Sequence, residues 1–210
     1  MCSQIFRLVI LTSVAYAAAV RRAAQASDQI LAIAPTSNTC AGAPVPAECR
    51  TNVQAAPFLT AAMATYNIYS PPEIAAVLSV VAFETGDLKY NTNITPGRPG
   101  QGTRNMQLAH NNFLYAKSFP ELATKLSAIT TADSTDGLSD DKLNAIRALV
   151  LPDEYAWASG AWFLTTQCNA SVRTALQAGG QAGFEAYMGC LGVTATPDRL
   201  TYWNRATAAF

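Results

Sequence analysis

A glutamate that closes an apolar run, followed by a loop rich in proline and glycine and then by side-chain amides, is a set of residues that could carry out acid catalysis. Here the run reaches Phe83, the glutamate is Glu84, and the stretch that began at Val77 ends in Asn105-Met106-Gln107. Enclosure of Glu84 by apolar neighbours such as Phe83 would disfavour its charged form and keep a proton available near neutral pH. The competing reading is a helix-end carboxylate that caps the following loop or pairs with Arg98 or Arg104. Such pairs are common in structural networks.

Other chemistries lack their residues. No GxGxxG, P-loop or GxSxG pattern is present, and His110 is the one histidine. A single histidine supports neither the usual metal cluster nor a catalytic triad, so no metal and no cofactor is expected. Hydrolysis assisted by carboxylates rises by elimination.

The elements that would position Glu84 are helical. Thr51 to Tyr66 repeats apolar residues at three and four (Val53, Phe58, Leu59, Ala62, Met63, Tyr66), which should turn one face inward. Ser70-Pro71-Pro72-Glu73 opens the next helix, with Ser70 as its cap. Glu73 to Glu84 is apolar nearly all round, the pattern of a helix buried at the centre of a fold, and Gly86 is placed to end it. Asp87 to Gly102, with Pro96, Pro99, Gly97, Gly100 and Gly102, predicts an ordered loop or small hairpin-like excursion. Helices follow over Asn105–Lys117, Pro120–Ile129, Leu138–Val150 and Asp153–Gln167, with shorter pieces over 169–178, 183–189 and 197–209. Trp157, Trp162 and Trp203 read more simply as core than as ligand platforms. Asp140-Asp141 and Asp153-Glu154 read as acidic first turns that complement the helix dipole.

The N-terminus has the form of a secretory signal peptide over 1–19: Arg7, an apolar run Leu8 to Val14, then small residues. The run is too short to cross a membrane. Arg21-Arg22 is either a second processing site or a pair of solvated charges. Loss of residues 1–22 would leave 11 basic against 14 acidic groups, a net charge of about −3. That balance offers no basic face for nucleic acid. Residues 20–50, with Pro35, Pro44 and Pro46, show no useful periodicity and read as a propeptide and a disulfide-pinned arm, the globular part beginning near Thr51. Beyond Cys2 the four cysteines suit two disulfides in an oxidising compartment, Cys40 with Cys49 and Cys168 with Cys190, each closing a local loop. Asn93-Ile94-Thr95 and Asn169-Ala170-Ser171 are glycosylation sequons. The expectation is a secreted monomer with no membrane contact once the signal is removed.

The run Phe83-Glu84-Thr85-Gly86, followed by Gly102-Thr103-Arg104-Asn105-Met106-Gln107-Leu108-Ala109-His110-Asn111-Asn112, resembles the lysozyme-like superfamily. Glu-Thr-Gly and Gln-Leu-x-His-Asn are similar to family 19 chitinases, and Met106-Gln107 to lytic transglycosylases and goose-type lysozymes. Ala161-Trp162-Phe163 with Thr165, and Cys190 followed by Asp198-Arg199-Leu200-x-Tyr202, are similar to later segments of family 19, so the resemblance runs over 51–210.

It implies a mostly α, single-domain lysozyme-like fold, with a central buried helix ending at Glu84 and a small irregular or β loop region. The implied function is a secreted glycoside hydrolase that cleaves β-1,4-linked N-acetylhexosamine polymers, chitin or peptidoglycan, with Glu84 as single general acid. Gln107 then binds sugar at the scissile bond, and Thr85, Tyr90, Asn105, His110 and Asn111 line the same cleft, His110 at its edge. Between Glu84 and Gln107 the only other acid is Asp87, and Ala109 and Phe113 stand where family 19 has serine and asparagine. The alternative is therefore a catalytically weak or inactive glycan-binding or effector protein on the same fold.

Overall fold

The computed structural model describes residues 24–210; the expected signal peptide, Cys2 and Arg21-Arg22 lie outside the described residues. The chain is mostly helical, with α1 over 24–33 and then α2 Asn52–Thr65, α3 Pro71–Glu84, α4 Ala109–Lys117, α5 Ala123–Ile129, α6 Asp140–Val150, α7 Asp153–Ala156, α8 Ser159–Thr166, α9 Ala170–Gln177, α10 Gly180–Cys190 and α11 Pro197–Ala208. Two isolated antiparallel bridges, Thr92 to Gly102 and Gly102 to Gln107, are the β structure of the loop after α3.

Helix α3 is the centre. Ala75 to Ala82 are buried without a gap, Ser79 included, whose hydroxyl donates to Ala76 O at 2.8 Å and so needs no outside partner. Helices α8, α9, α10 and α11 pack on α3, and Ile30, Leu59, Leu164, Phe184, Met188 and Trp203 join it in one apolar cluster. A second cluster gathers Phe113, Tyr115, Leu126, Ile146, Val150, Trp162 and Phe163. Helix α8 serves both, with Ala161 and Leu164 in the first and Trp162 and Phe163 in the second. All three tryptophans are core residues.

Several expectations are corrected. The stretch before Thr51 contains α1, whose Ile30 and Ile33 are 4% and 1% exposed; a short run of mixed polar and apolar residues forms a helix that packing stabilises. On α2 the inward face is Ala55, Ala56, Leu59, Ala62 and Met63, while Val53 is 66% exposed and Phe58 37%. The inward face is mostly alanine, and the two larger side chains fall outside it. Ser70 occupies the cap position of α3 without a side-chain bond. Pro72 at the second helical position has no N–H, so of the usual cap donors only that of Glu73 remains. Residues 105–108 precede α4 instead of opening it, and Asp153–Gln167 is two helices, broken after Ala156.

The disulfides Cys40–Cys49 and Cys168–Cys190 are both formed. The first closes the loop whose Glu48 accepts from Asn91 N at 2.6 Å and from Thr92 N at 3.0 Å, which fixes one wall of the loop after α3.

Core tyrosines give the fold an alkaline limit. Burial pushes the phenols of Tyr115 and Tyr187 well above their ordinary value of about 10, and takes Tyr202 to about 12 with help from the Asp87 carboxylate. A neutral phenol with a raised folded value contributes stability that is whole below pH about 10 and is lost as pH rises through the folded value. Arg104, lowered to about 10 mainly by burial, and Arg147, also lowered by burial, act in the opposite sense, but they are two groups against five raised tyrosines, Tyr66 and Tyr155 included. The thermal denaturation midpoint should therefore drop as pH rises from about 10 to about 12, and absorbance titration should show a late, cooperative group of tyrosines. Smooth titration of every tyrosine near pH 10 with an unchanged midpoint would contradict this.

Candidate functional site

The end of α3 is held by its own side chains. The Thr85 hydroxyl donates to Val81 O at 2.6 Å and accepts from Leu88 N at 2.9 Å, while Thr85 O accepts from Lys89 N and Tyr90 N. Gly86, Asp87 and Leu88 follow with φ of 55°, 59° and 69°, three successive left-handed residues that reverse the chain within one turn. Thr103 and Met106 are also left-handed, at φ 64° and 47°. For a β-branched threonine this is a genuine outlier, and strain of this kind gathers at functional sites. Thr85 is fully buried, and both hydrogen bonds of its hydroxyl go to the backbone of the turn.

Glu84 is not enclosed by apolar groups. Its Oε1 accepts from Arg199 Nη2 at 2.9 Å, both side chains are partly exposed, and the guanidinium of Arg199 also lies 4.6 Å from the centroid of the Phe83 ring. The predicted pairing partner was Arg98 or Arg104; the actual one comes from α11, 115 residues away. The carboxylate has an opposite charge beside it, the reverse of the apolar setting expected for a proton-holding acid. Arg104 is itself completely buried, under Trp157 at 4.1 Å, donating to Tyr90 O at 3.0 Å and facing Asp153.

Asp87, the nearest second acid, is committed elsewhere. Its Oδ2 accepts from Thr36 N at 2.9 Å and Thr36 Oγ1 at 2.8 Å, and its Oδ1 from Tyr202 OH at 2.8 Å. The side chain ties the N-terminal segment and α11 to the turn after α3.

Beyond the loop, Asn105, Gln107 and Asn112 form a buried chain of amides. Asn105 Nδ2 donates to Gln107 Oε1 at 3.3 Å, Gln107 Nε2 to Asn112 Oδ1 at 2.8 Å, and Asn112 Nδ2 to Gly100 O at 2.8 Å. Ser159 Oγ reaches Asn105 Oδ1 at 2.7 Å from α8. Each accepting oxygen is already occupied, so Asn105 and Gln107 shape the wall more than they offer themselves to a ligand. Gly100 belongs to the same arrangement: at φ 71° a Cβ there would stand 2.6 Å from that of Ala109, so glycine alone allows the loop to lie on α4. Asn111 is half-buried on the cleft, its carboxamide without a hydrogen-bond partner among the described residues, and His110 is exposed beyond the cleft lining. Sequence reasoning placed Asn105, Gln107 and Asn111 at one site with Glu84 but missed Arg199.

Two hollows meet at Glu84 and Met106. One, of about 310 Å³, sets Arg98, Arg199, Gln101 and Asn111 against an apolar wall of Val80, Phe163, Leu191 and Val193. The other, of about 540 Å³, is bounded by Val45, Phe83, Tyr90, Asn93 and Ile94. Among the described residues no group of three His, Cys, Asp or Glu side chains is placed to hold a metal ion. No helix among them is long and apolar enough to cross a membrane.

No family model matches the chain, and no solved structure matches it. Over 158 residues, 75% of this chain, it is 49% identical to a protein of Fusarium oxysporum (strain Fo5176) named bifunctional dioxygenase (DOX)-epoxy alcohol synthase (EAS). The match spans 12% of that protein's length. This similarity overturns the expectation of a glycoside hydrolase, because the relative is an enzyme of a different class. A polysaccharide partner has no support from it, and the salt-bridged Glu84 fits the correction.

Proposed function

We propose that the chain is a binding module for a small oxygenated organic molecule of the epoxy alcohol class, seated in the cleft beside Glu84 and Arg199. The observation that carries the reading is the pairing, in one hollow, of unoccupied polar groups with an apolar wall: Arg98 and Asn111 on one side, Val80, Phe163, Leu191 and Val193 on the other. An epoxide oxygen only accepts hydrogen bonds, which suits the guanidinium of Arg98. A hydroxyl both donates and accepts, which suits the carboxamide of Asn111. The carbon skeleton packs on the apolar wall. The size of the cleft is that of a pocket for one small molecule.

The named relative supplies the chemical class, and the small share of its length that this chain matches supports a module that holds substrate or product, with turnover elsewhere. Two disulfides are compatible with an extracellular location, which is part of the proposal. The lysozyme-like arrangement of the helices is likewise a proposal, supported by the order of the motifs at 83–86 and 102–112 and by the buried helix that ends at Glu84.

Calorimetry of the full chain with a water-soluble epoxy alcohol and with its unoxygenated parent alkene tests the reading. Binding of the epoxy alcohol alone is expected, weakened roughly 3- to 10-fold by Asn111→Leu, the worth of one ordinary hydrogen bond. Absence of heat with the epoxy alcohol at millimolar concentration, or equal binding of the alkene, sinks it.

A further inference from the structure

The two sequons stand in different structural settings. Asn93 lies in the loop after α3, and its Oδ1 accepts from Gly97 N at 2.8 Å and Arg98 N at 3.2 Å. Its hydroxyl residue, Thr95, is followed by Pro96. A proline restricts the residue before it to extended conformations in the unfolded chain as well as the folded one. Asn169 caps α9 with φ −62° and ψ 149°, is exposed, and makes no side-chain cap bond; Ser171 is exposed beside it. No proline follows: the sequence continues Val172-Arg173.

We propose that Asn169 is an N-glycosylation site and that Asn93 is not. The transfer joins Nδ2 to C1 of an oligosaccharide carried on a lipid pyrophosphate. The bond from C1 to the pyrophosphate oxygen breaks, the pyrophosphate leaves with the lipid, and Nδ2 loses one proton to a base of the transferase. The amide nitrogen becomes nucleophilic only when its delocalisation into the carbonyl is disturbed by groups that hold Oδ1 and Nδ2. At Asn93 two backbone N–H groups already hold Oδ1, and Thr95-Pro96 stiffens the segment in either state. At Asn169 the carboxamide has no partner among the described residues, and the disulfide of the adjacent Cys168 to Cys190 fixes the backbone while the side chain remains outside.

The location makes the distinction functional. Asn169 lines neither hollow beside Glu84, although the adjacent Cys168 is bonded to Cys190, which precedes Leu191 on the wall of the smaller one. Asn93 borders the larger hollow beside Glu84, and a glycan there would fill it.

The test is production of the full chain in a secreting yeast, followed by enzymatic release of N-glycans in ¹⁸O-water and peptide mapping of the wild type, Asn93→Gln and Asn169→Gln. Conversion to labelled aspartate is expected at position 169 alone, with one glycan mass lost from the wild type and Asn93→Gln and none from Asn169→Gln. Label at position 93, or no label at 169, overturns the proposal. Mapping of the wild type decides the matter even if a variant is retained in the cell.

Discussion

Replacing Arg173 with methionine is expected to lower the stability of the chain by about 5 kcal/mol, the upper end of the cost of breaking a buried ion pair. The reason is Glu73. Its side chain is 1% exposed at the first turn of α3, and Arg173 Nε donates to its Oε1 at 2.7 Å from α9. With Arg173 gone, Gln177 Nε2, 3.0 Å from Oε2, is the remaining donor, too little for a carboxylate out of reach of water. The reverse change, Glu73→Gln, leaves a cation that is 27% exposed and can rehydrate, so about 3 kcal/mol is expected. In a chain of this size those losses correspond to thermal midpoints lower by roughly 10–20 °C and 6–12 °C. Replacing both residues with leucine should recover most of the loss, since an apolar pair leaves no buried charge. Thermal denaturation of the four proteins checks the order. Equal, small effects of both single changes would show that the pair contributes little.

The two carboxylates at the ends of α3, Glu73 buried and Glu84 partly exposed, explain what sequence could and could not reveal. Helix α3 was legible because eight successive buried positions of Ala, Val, Leu and Ser leave no polar face, and its stop was legible because Gly86 supplies a left-handed residue. The loop to Gly102 was legible from its prolines and glycines, and the disulfides from local spacing. Glu73, by contrast, reads in sequence as an ordinary acidic first turn, and only the tertiary position of Arg173, 100 residues on, makes it a buried ion. Arg199 was illegible as the partner of Glu84 for the same reason, whereas Arg98 and Arg104 were close in sequence and wrong. Charge pairing over such separations is set by how α9 and α11 pack on α3, which no local pattern encodes. Helix α1 is short, and its apolar face is only Ala26, Ile30 and Ile33 beside a proline-containing segment, too brief a pattern to stand out although Ile30 and Ile33 reach the core.

The polar cleft also shows why motif order misled about chemistry. Glu84, Asn105 and Gln107 do assemble on one wall, as their spacing implied, yet the bonds each makes differ from those the resemblance implied. Asn105 and Gln107 are held in an amide chain that reaches Ser159 and Gly100, and Glu84 is held by Arg199. Side-chain identity at a given spacing fixes which groups meet and leaves open which of their bonds are already occupied.

Asp87→Ala is expected to destabilise the fold by about 4 kcal/mol, a midpoint lower by roughly 8–16 °C, although sequence presents Asp87 as a second acid for catalysis. The change strands the Thr36 N–H and the hydroxyls of Thr36 and Tyr202, all three of which donate to this carboxylate. Hydrogen bonds to a charged group are each worth about 1.5–3 kcal/mol, with losses that overlap when one residue supplies them all. Alanine at φ 59° adds about 1–2 kcal/mol of backbone strain. Asp87→Asn separates the two effects, because asparagine tolerates the left-handed region and keeps one accepting oxygen, so about half the loss is expected. It also removes the negative charge that helps hold the Tyr202 phenol at about 12, so Tyr202 should titrate earlier in Asp87→Asn while burial, the larger cause, keeps it above its ordinary range. Glu84→Gln is the control: its ion pair is partly exposed, and about 1 kcal/mol or less is expected from it. If Asp87→Ala costs no more than Glu84→Gln, or Tyr202 titrates unchanged in Asp87→Asn, Asp87 does not join the three segments. If the order holds, the carboxylate three residues past Glu84 belongs to the frame of the cleft, and its loss empties the site by loosening the walls before any ligand chemistry is affected.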